Sequence, residues 1–311
     1  MNTQIGGLID IKNSDRMVVQ RGNNTTLGNV VFKRRIGSRS VYGVTFACHV
    51  IGYEHLPFAC KVMDNNNDNN RELQTLINFE TNGIVSVNMP LLITHTIKPA
   101  QIINKLKLSQ FESNFIFVFN ELADADLNMF LSTPPVRDEQ VYYNMFVQVL
   151  LAISLFHTVG LHCDLHAGNI LVHAHPVNPG VAEFWWYNIS GVDYYLQNRG
   201  FMFVIWDFGR TNTCYNQNYD IYLIFDAIRG FLMDSYTPHH NMRYPRQLST
   251  DITNVVLAGL PNQINQVYAP KLKGIFDSFV NHTIFTALPA NGVLLNAAPF
   301  TWNVRDVRQR P

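Results

Sequence analysis

The ten residues His162-Cys163-Asp164-Leu165-His166-Ala167-Gly168-Asn169-Ile170-Leu171 set an aspartate and an asparagine five positions apart, after a histidine and ahead of an apolar run. Such a pair suits phosphoryl transfer. The carboxylate accepts or orients the proton of an attacking hydroxyl, and the amide oxygen helps to hold a magnesium ion. A buried aspartate capping a helix, with an unrelated asparagine nearby, would leave the same trace. The choice between the two turns on whether the chain carries the other parts of a phosphoryl-transfer site in the right order.

Those parts follow in order. The loop resembles the protein-kinase catalytic loop, H-R-D-x-x-x-x-N. Upstream, Ile36-Gly37-Ser38-Arg39-Ser40-Val41-Tyr42-Gly43-Val44 resembles the glycine-rich loop over the ATP phosphates. Gly37 and Val44 fit that pattern, while Arg39 and Tyr42 stand where further glycines belong; an ordinary hairpin fits the segment equally. Phe58-Ala59-Cys60-Lys61-Val62-Met63 alternates like a half-buried strand and resembles V-A-I-K, whose lysine pairs the α- and β-phosphates and a helix glutamate. Asn65–Asn70 reads as a low-complexity polar loop. The helical spacing of Arg71–Ile77 after it makes Glu72 the candidate partner of Lys61, with Glu80 in reserve.

Asn114–Glu121 is a strongly apolar strand that resembles the strand entering the hinge between kinase lobes. The resemblance places Asn120 at the back of a nucleotide pocket, gives backbone groups of Glu121 to Ala123 to adenine, and gives Asp126 to the ribose. Pro134-Pro135 precedes an amphipathic helix expected over Asp138–Thr158. The metal-binding D-F-G is Asp207-Phe208-Gly209, 38 positions beyond Asn169. Two aromatic clusters around Gly191 read as an extra hairpin or sheet edge, used either in core packing or for docking a protein. Only Arg210 to Tyr219 precedes a further helical run, Asp220–Met233, in which Asp220 is expected to bond the catalytic-loop backbone. No A-P-E follows.

The D-L-H-x-G-N-I-L form is shared by haspin-like protein kinases and by the aminoglycoside and choline kinase group; the insertion looks most like divergent serine/threonine kinases encoded by large DNA viruses. That resemblance implies an α+β, two-lobed protein-kinase-like fold: an N-terminal arm (1–29), a small mainly β N-lobe (30–122) and a larger helical C-lobe (123–311) with an insertion at about 174–200. ATP would lie between the lobes. Lys61, held by Glu72, would position its phosphates, Gly37, Val44, Glu121, Ala123 and Asp126 would line its site, and Asn169 and Asp207 would hold Mg²⁺. Asp164 would orient the acceptor hydroxyl, with His166 near the γ-phosphate. The implied acceptor is a Ser or Thr hydroxyl of a protein; a small-molecule kinase and a binding-only pseudokinase are the alternatives.

Composition narrows the setting. Lys+Arg and Asp+Glu balance at 23 each, so no basic field argues for nucleic acid. The longest apolar run, near Val147–Phe156, is too short for a bilayer span. Four cysteines far apart, with no paired metal-ligand spacing, read as free thiols in a reducing compartment. The expectation is a cytoplasmic protein (host cytoplasm, with packaging in the virion, if the source is viral), of unspecified oligomeric state. The tail from 234 onward is expected to be mostly helical, periodic at Asp251–Leu260 and Leu272–Val280, and its arginines Arg305, Arg308 and Arg310 solvated.

Kinases switched by phosphorylation of the segment after D-F-G pair that phosphate with an arginine beside the catalytic Asp. Cys163 occupies that position here. Phosphatase treatment that strips Thr211, Thr213 and Tyr215 is therefore expected to leave initial rates unchanged. A large loss restored by rephosphorylation would show that another cation does the arginine's work.

Overall fold

The computed structural model describes residues 7–10, 17–19, 25–40, 43–99, 114–133, 137–214, 218–233, 250 and 285–304. Tyr42, Pro134-Pro135, Tyr215, the periodic stretches 251–260 and 272–280, and Arg305, Arg308 and Arg310 lie outside them. The architecture is α+β in two compact units. One is drawn from Met1–Ile84 with Pro90–Ala123, the other from Val85–Met89 with Asp124–Pro311.

The first unit is mainly β. Strands β1 (Met17–Val19), β2 (Thr25–Leu27), β3 (Val30–Ser40), β4 (Gly43–Val50) and β5 (Tyr53–Asp64) lead to helix α1 (Asn67–Thr81), then to β6 (Leu92–Pro99) and β7 (Asn114–Glu121). They make one seven-stranded sheet in the order β1-β2-β3-β4-β5-β7-β6. Alternation divides its residues. Phe46, Cys60, Val62, Phe117 and Phe119 share an apolar cluster on one face, and Ala59, Lys61, Val118 and Asn120 occupy the intervening positions of the same ladders. The end of the segment expected as an arm joins this sheet, because Leu27 is buried in the cluster.

Asn65–Asn70 is not simply a loop. Asn66 caps α1, its side-chain oxygen accepting from the Asn69 N–H at 3.0 Å, and Asn67–Asn70 already belong to the helix. Asn69 Nδ2 then donates to the Asp64 carbonyl at 2.8 Å. Asparagine serves a cap as readily as a turn, so composition left the two open.

In the second unit, β8 (Ala125–Asp126) and α2 (Leu127–Ser132) precede α3 (Glu139–Phe156) and a 3₁₀ turn, Ala167–Asn169. Then come β9 (Ile170–Ala174), β10 (Glu183–Ile189), β11 (Val192–Gln197), β12 (Phe201–Ile205) and α4 (Asn218–Met233). The last strands are β13 (Phe285–Thr286), β14 (Val293–Leu294) and β15 (Phe300–Trp302). The described part is mixed rather than mainly helical. The insertion makes the expected hairpin, β10 and β11, closed by Ser190 (φ 52°) and Gly191 (φ 83°), the left-handed pair that suits a two-residue turn. Residues 285–304, expected as part of a mostly helical tail, instead add β13 to β11 and set β14 and β15 parallel to β10. Unpaired edges of β10 and β11 offer main-chain bonds that these short runs can satisfy only as strands.

Helix α3 departs from the amphipathic expectation: every residue from Tyr142 to Phe156 is buried. Its polar members are therefore bonded, as burial requires. Asn144 Nδ2 donates to the Gln197 carbonyl at 2.8 Å, Gln148 Nε2 to the Phe201 carbonyl at 2.9 Å, and Ser154 Oγ accepts from Trp302 Nε1 at 3.0 Å. Phe184, Trp185 and Tyr187 of the insertion are buried too, so these three aromatics are core, whereas Trp186, Tyr194 and Tyr195 are half-buried.

Asn88 joins this assembly to the short Val85–Met89 segment. Its Nδ2 donates to Gln148 Oε1 (2.9 Å) and the Phe203 carbonyl (3.0 Å), and its Oδ1 accepts from the Tyr187 hydroxyl (3.1 Å). Asn88→Ala is expected to cost about 2–4 kcal/mol, since it strips three buried groups of a partner, against about 1 for Tyr187→Phe. Urea midpoints check this. An Asn88→Ala protein as stable as its parent would mean the network carries no net stability.

Candidate active site

Lys61 sits mid-way along β5, opposite Thr45 of β4 and Val118 of β7. Its Nζ meets both carboxylate oxygens of Glu72, at 2.8 and 2.6 Å. The side chains are 5% and 0% exposed, while Glu80 is exposed, so the choice left open by sequence falls on Glu72. Helix α1 delivers the carboxylate by burying Leu73, Leu76 and Phe79 along with it. A buried ion pair of this kind seldom outperforms apolar residues of equal volume in stability.

The other residues expected around a nucleotide divide. Gly37 is exposed, with φ at +71° and open space where a side chain would begin. Val44 lies in the apolar cluster, opposite Val62, and so on the other face from Lys61; Thr45 is the residue across from the lysine. The glycine the hairpin requires is Gly43, where φ is +154° and a Cβ would come 2.6 Å from the Val62 carbonyl oxygen. Asn120 is buried on the Lys61 face, and neither of its side-chain amide atoms has a hydrogen-bond partner. Burial pushes the Glu121 carboxyl up to about 7, against the opposing effect of the Leu91 backbone N–H. Ala123 closes the first unit and is half-buried. Asp126 belongs to the second unit, where its Oδ1 caps α2 by accepting from the Met129 N–H at 2.8 Å. That helix-capping duty is what the structure gives Asp126.

The catalytic-loop candidates all lie in the second unit. Asp220, fully buried in the first turn of α4, accepts from the backbone N–H of Cys163 at 2.6 Å and of His162 at 2.8 Å, and its Oδ2 lies 3.1 Å from His157 Nε2. These bonds hold Cys163 in a left-handed conformation (φ 66°) just before Asp164. His162 Nε2 donates to the Trp206 carbonyl at 2.8 Å. Burial holds its imidazole below the usual value, the Asp220 charge opposing that shift, so it serves as a neutral donor. Around it, Phe156, His162 and Phe208 pack ring against ring.

Asn169 Nδ2 donates to the Asp164 carbonyl at 2.8 Å, which fixes the amide's orientation and commits its nitrogen side. Strands β9 and β12 pair with Ile170 opposite Ile205, and the Trp206 N–H donates to the Asn169 carbonyl at 2.8 Å. Asn169 and Asp207 therefore flank the same end of one strand pair, and Asp207 is itself left-handed (φ 64°). Non-glycine residues held there cost free energy and cluster at functional sites. An amide oxygen and one carboxylate suit Mg²⁺, which takes few protein ligands and completes its shell with water and phosphate. Among the described residues no group of three or more His, Cys, Asp or Glu side chains forms a metal site. His166 is exposed and its Nδ1 accepts from the Gly168 N–H at 3.1 Å. The proton then sits on Nε2, leaving that nitrogen as the donor.

Two features were not legible in sequence. Cys163 and Cys214 are joined as a disulfide, correcting the expectation of four free thiols; Cys48 and Cys60 are free and buried. With the two cysteines 51 positions apart, no local spacing announces that pair. Asn212 also ties the segment after Gly209 to the loop: its N–H donates to the Leu161 carbonyl at 2.8 Å, and its Oδ1 accepts from the Leu161 N–H at 2.9 Å.

The chain matches no protein-family model and no curated protein sequence. Among the described residues no helix is long and apolar enough to cross a membrane.

If Lys61–Glu72 exists for chemistry, it should be dispensable for folding. Glu72→Leu alone is expected to cost about 3–5 kcal/mol by stranding a buried lysine, and Lys61→Met/Glu72→Leu to recover most of that loss. A thermal or urea double-mutant cycle measures it. A double variant no more stable than Glu72→Leu would make the pair a structural device.

Proposed function

We propose that this chain is an ATP-dependent phosphotransferase of the protein-kinase type, acting on serine or threonine hydroxyls of proteins. The observation that carries the reading is the buried Lys61–Glu72 pair. Stability gives little reason to build it, and it presents a held ammonium of the kind that positions α- and β-phosphates. The Asp164 loop supports the same reading, since its carboxylate follows a backbone clamped twice by Asp220.

Each residue then has a task. Lys61, oriented by Glu72, places the phosphates. Asn169 and Asp207 hold Mg²⁺, which when bound neutralises charge developing between the β- and γ-phosphates. Asp164 orients the acceptor hydroxyl and takes up its proton. His166 offers Nε2–H toward the γ-phosphate, a single hydrogen bond where many kinases have a lysine. Catalysis of this kind is positioning plus electrostatics.

Protein is the favoured acceptor because the likeness to virus-encoded and haspin-like kinases runs into the insertion. The sheet built there supplies a platform in a chain that lacks A-P-E. The test is incubation of the full chain with labelled ATP and Mg²⁺, in parallel with a protein mixture and with aminoglycoside and choline acceptors. Label on Ser or Thr of protein is expected. Label confined to small alcohols would transfer the reading to small-molecule kinases, and no label at all to a binding-only protein. Asp207→Asn is expected to abolish transfer with the fold intact, and Asp164→Asn to cut it by about 10²–10⁴. Unchanged turnover in folded Asp164→Asn would remove that residue from the mechanism.

A further inference from the structure

We propose that Cys163 and Cys214 are a reversible thiol–disulfide switch, closed in the competent enzyme and opened by a dithiol reductant. Its effect on rate rests on the phosphotransferase reading above; its chemistry does not.

The pair's placement is the first ground. Cys163 immediately precedes Asp164, and Cys214 ends the described part of the segment after Gly209. One covalent bond thus joins the two stretches of chain that carry Asp164 and Asp207. Each stretch also has anchors of its own. Asp220 clamps the loop backbone at His162 and Cys163, and Asn212 bonds Leu161 through both its backbone and its side chain. None of these bonds involves a cysteine sulfur. The bond therefore adds a removable constraint to a site already assembled.

The second ground is that both redox states are provided for. In the closed state Cys163 Sγ accepts from the Cys214 N–H at 3.0 Å. The Leu161 carbonyl lies 3.5 Å from that sulfur, within reach as an acceptor once Cys163 is a thiol. Cys48 and Cys60, by contrast, sit deep in the first unit's sheet, where burial and the neighbouring Cys48 push the Cys60 thiol well above its usual range.

Access selects the point of attack. Cys163 is buried and Cys214 is half-buried, so a reductant thiolate reaches the Cys214 sulfur. Attack there forms a mixed disulfide and breaks the bond to Cys163, which leaves as a thiolate stabilised by the Cys214 N–H and then takes up a proton. The reductant's second thiol displaces Cys214 as a thiolate, which is protonated in turn, and the reductant departs as its own disulfide. Two electrons and two protons enter the protein. Oxidised glutathione runs the exchange backward, releasing two molecules of glutathione.

Opening the bond removes one of the restraints that keep Cys163 left-handed (φ 66°). Because Asp164 is the next residue, its carboxylate loses definition relative to Asp207. Displacements of this order cost rate steeply, so the open form is expected to be about tenfold slower.

The test uses the full chain equilibrated with oxidised glutathione or with dithiothreitol under native conditions. Free thiols are alkylated and mapped by mass, hydrogen exchange is followed at Leu161–Asp164 and Arg210–Cys214, and initial rates are recorded. The expected result is a Cys163–Cys214 linkage in the oxidised protein that dithiothreitol opens. Exchange at both stretches then quickens, and the rate falls about tenfold and returns on reoxidation. Cys214→Ser should stay at the lower rate whatever the treatment. Alkylation of both cysteines after oxidation, or identical exchange in the two states, would overturn the switch. Equal rates in the two states would overturn its role in catalysis and leave the phosphotransferase reading standing. A pair that opens and quickens exchange in a protein that never transfers phosphate would uphold the switch and overturn that reading.

Discussion

The buried carboxylate of Asp220 is the constraint on which the geometry of the second unit's His162–Asn169 loop depends. It lies at the start of α4 and gathers two backbone N–H groups of the loop before Asp164, together with the His157 ring at the end of α3. A carboxylate without exposure to water needs such donors, and the loop needs an acceptor that its own backbone cannot supply. Each solves the other's problem. The outcome is a loop held in an otherwise unfavourable conformation at the residue beside the proposed base.

Around that anchor the described part of the unit is built from strands as much as from helices. Helix α3 carries buried side chains in every direction from Tyr142 onward, covered by strand β12 at Gln148 and by helix α4, whose Phe225 packs on Phe146. The insertion supplies β10 and β11, and residues 285–304 return to pair with them. Polar groups buried in the process are joined across long separations, as between Asn88 and Phe203 or Ser154 and Trp302. The inserted segment therefore does more than decorate a loop: it completes the packing of the helix that leads into the site.

In the first unit the two faces of one sheet are kept apart chemically. Aromatic and β-branched residues fill one face, while the other holds Lys61, its partner from α1 and the unsatisfied amide of Asn120. A one-residue slip of β5 would send Lys61 into the phenylalanine cluster, so the packing of Phe117 and Phe119 enforces the register that brings lysine and glutamate together.

Much of this was legible in the chain alone. The spacing of Asp164 and Asn169, the alternation around Lys61, the apolar run of β7 and the hairpin around Gly191 are local patterns, because side-chain periodicity and turn chemistry act over a few residues. Tertiary structure decided the rest. It chose Glu72 over Glu80 by burying one and exposing the other, made Asn66 a cap rather than a loop residue, put Val44 on the sheet face opposite Lys61 and set Gly43 against the Val62 carbonyl, where a Cβ would not fit. It also paired Cys163 with Cys214 across 51 residues and turned part of an expected helical tail into strands. Those outcomes depend on which distant segments meet. That is settled by the fit of whole surfaces and the need to satisfy every buried polar group, and no short window of sequence records it.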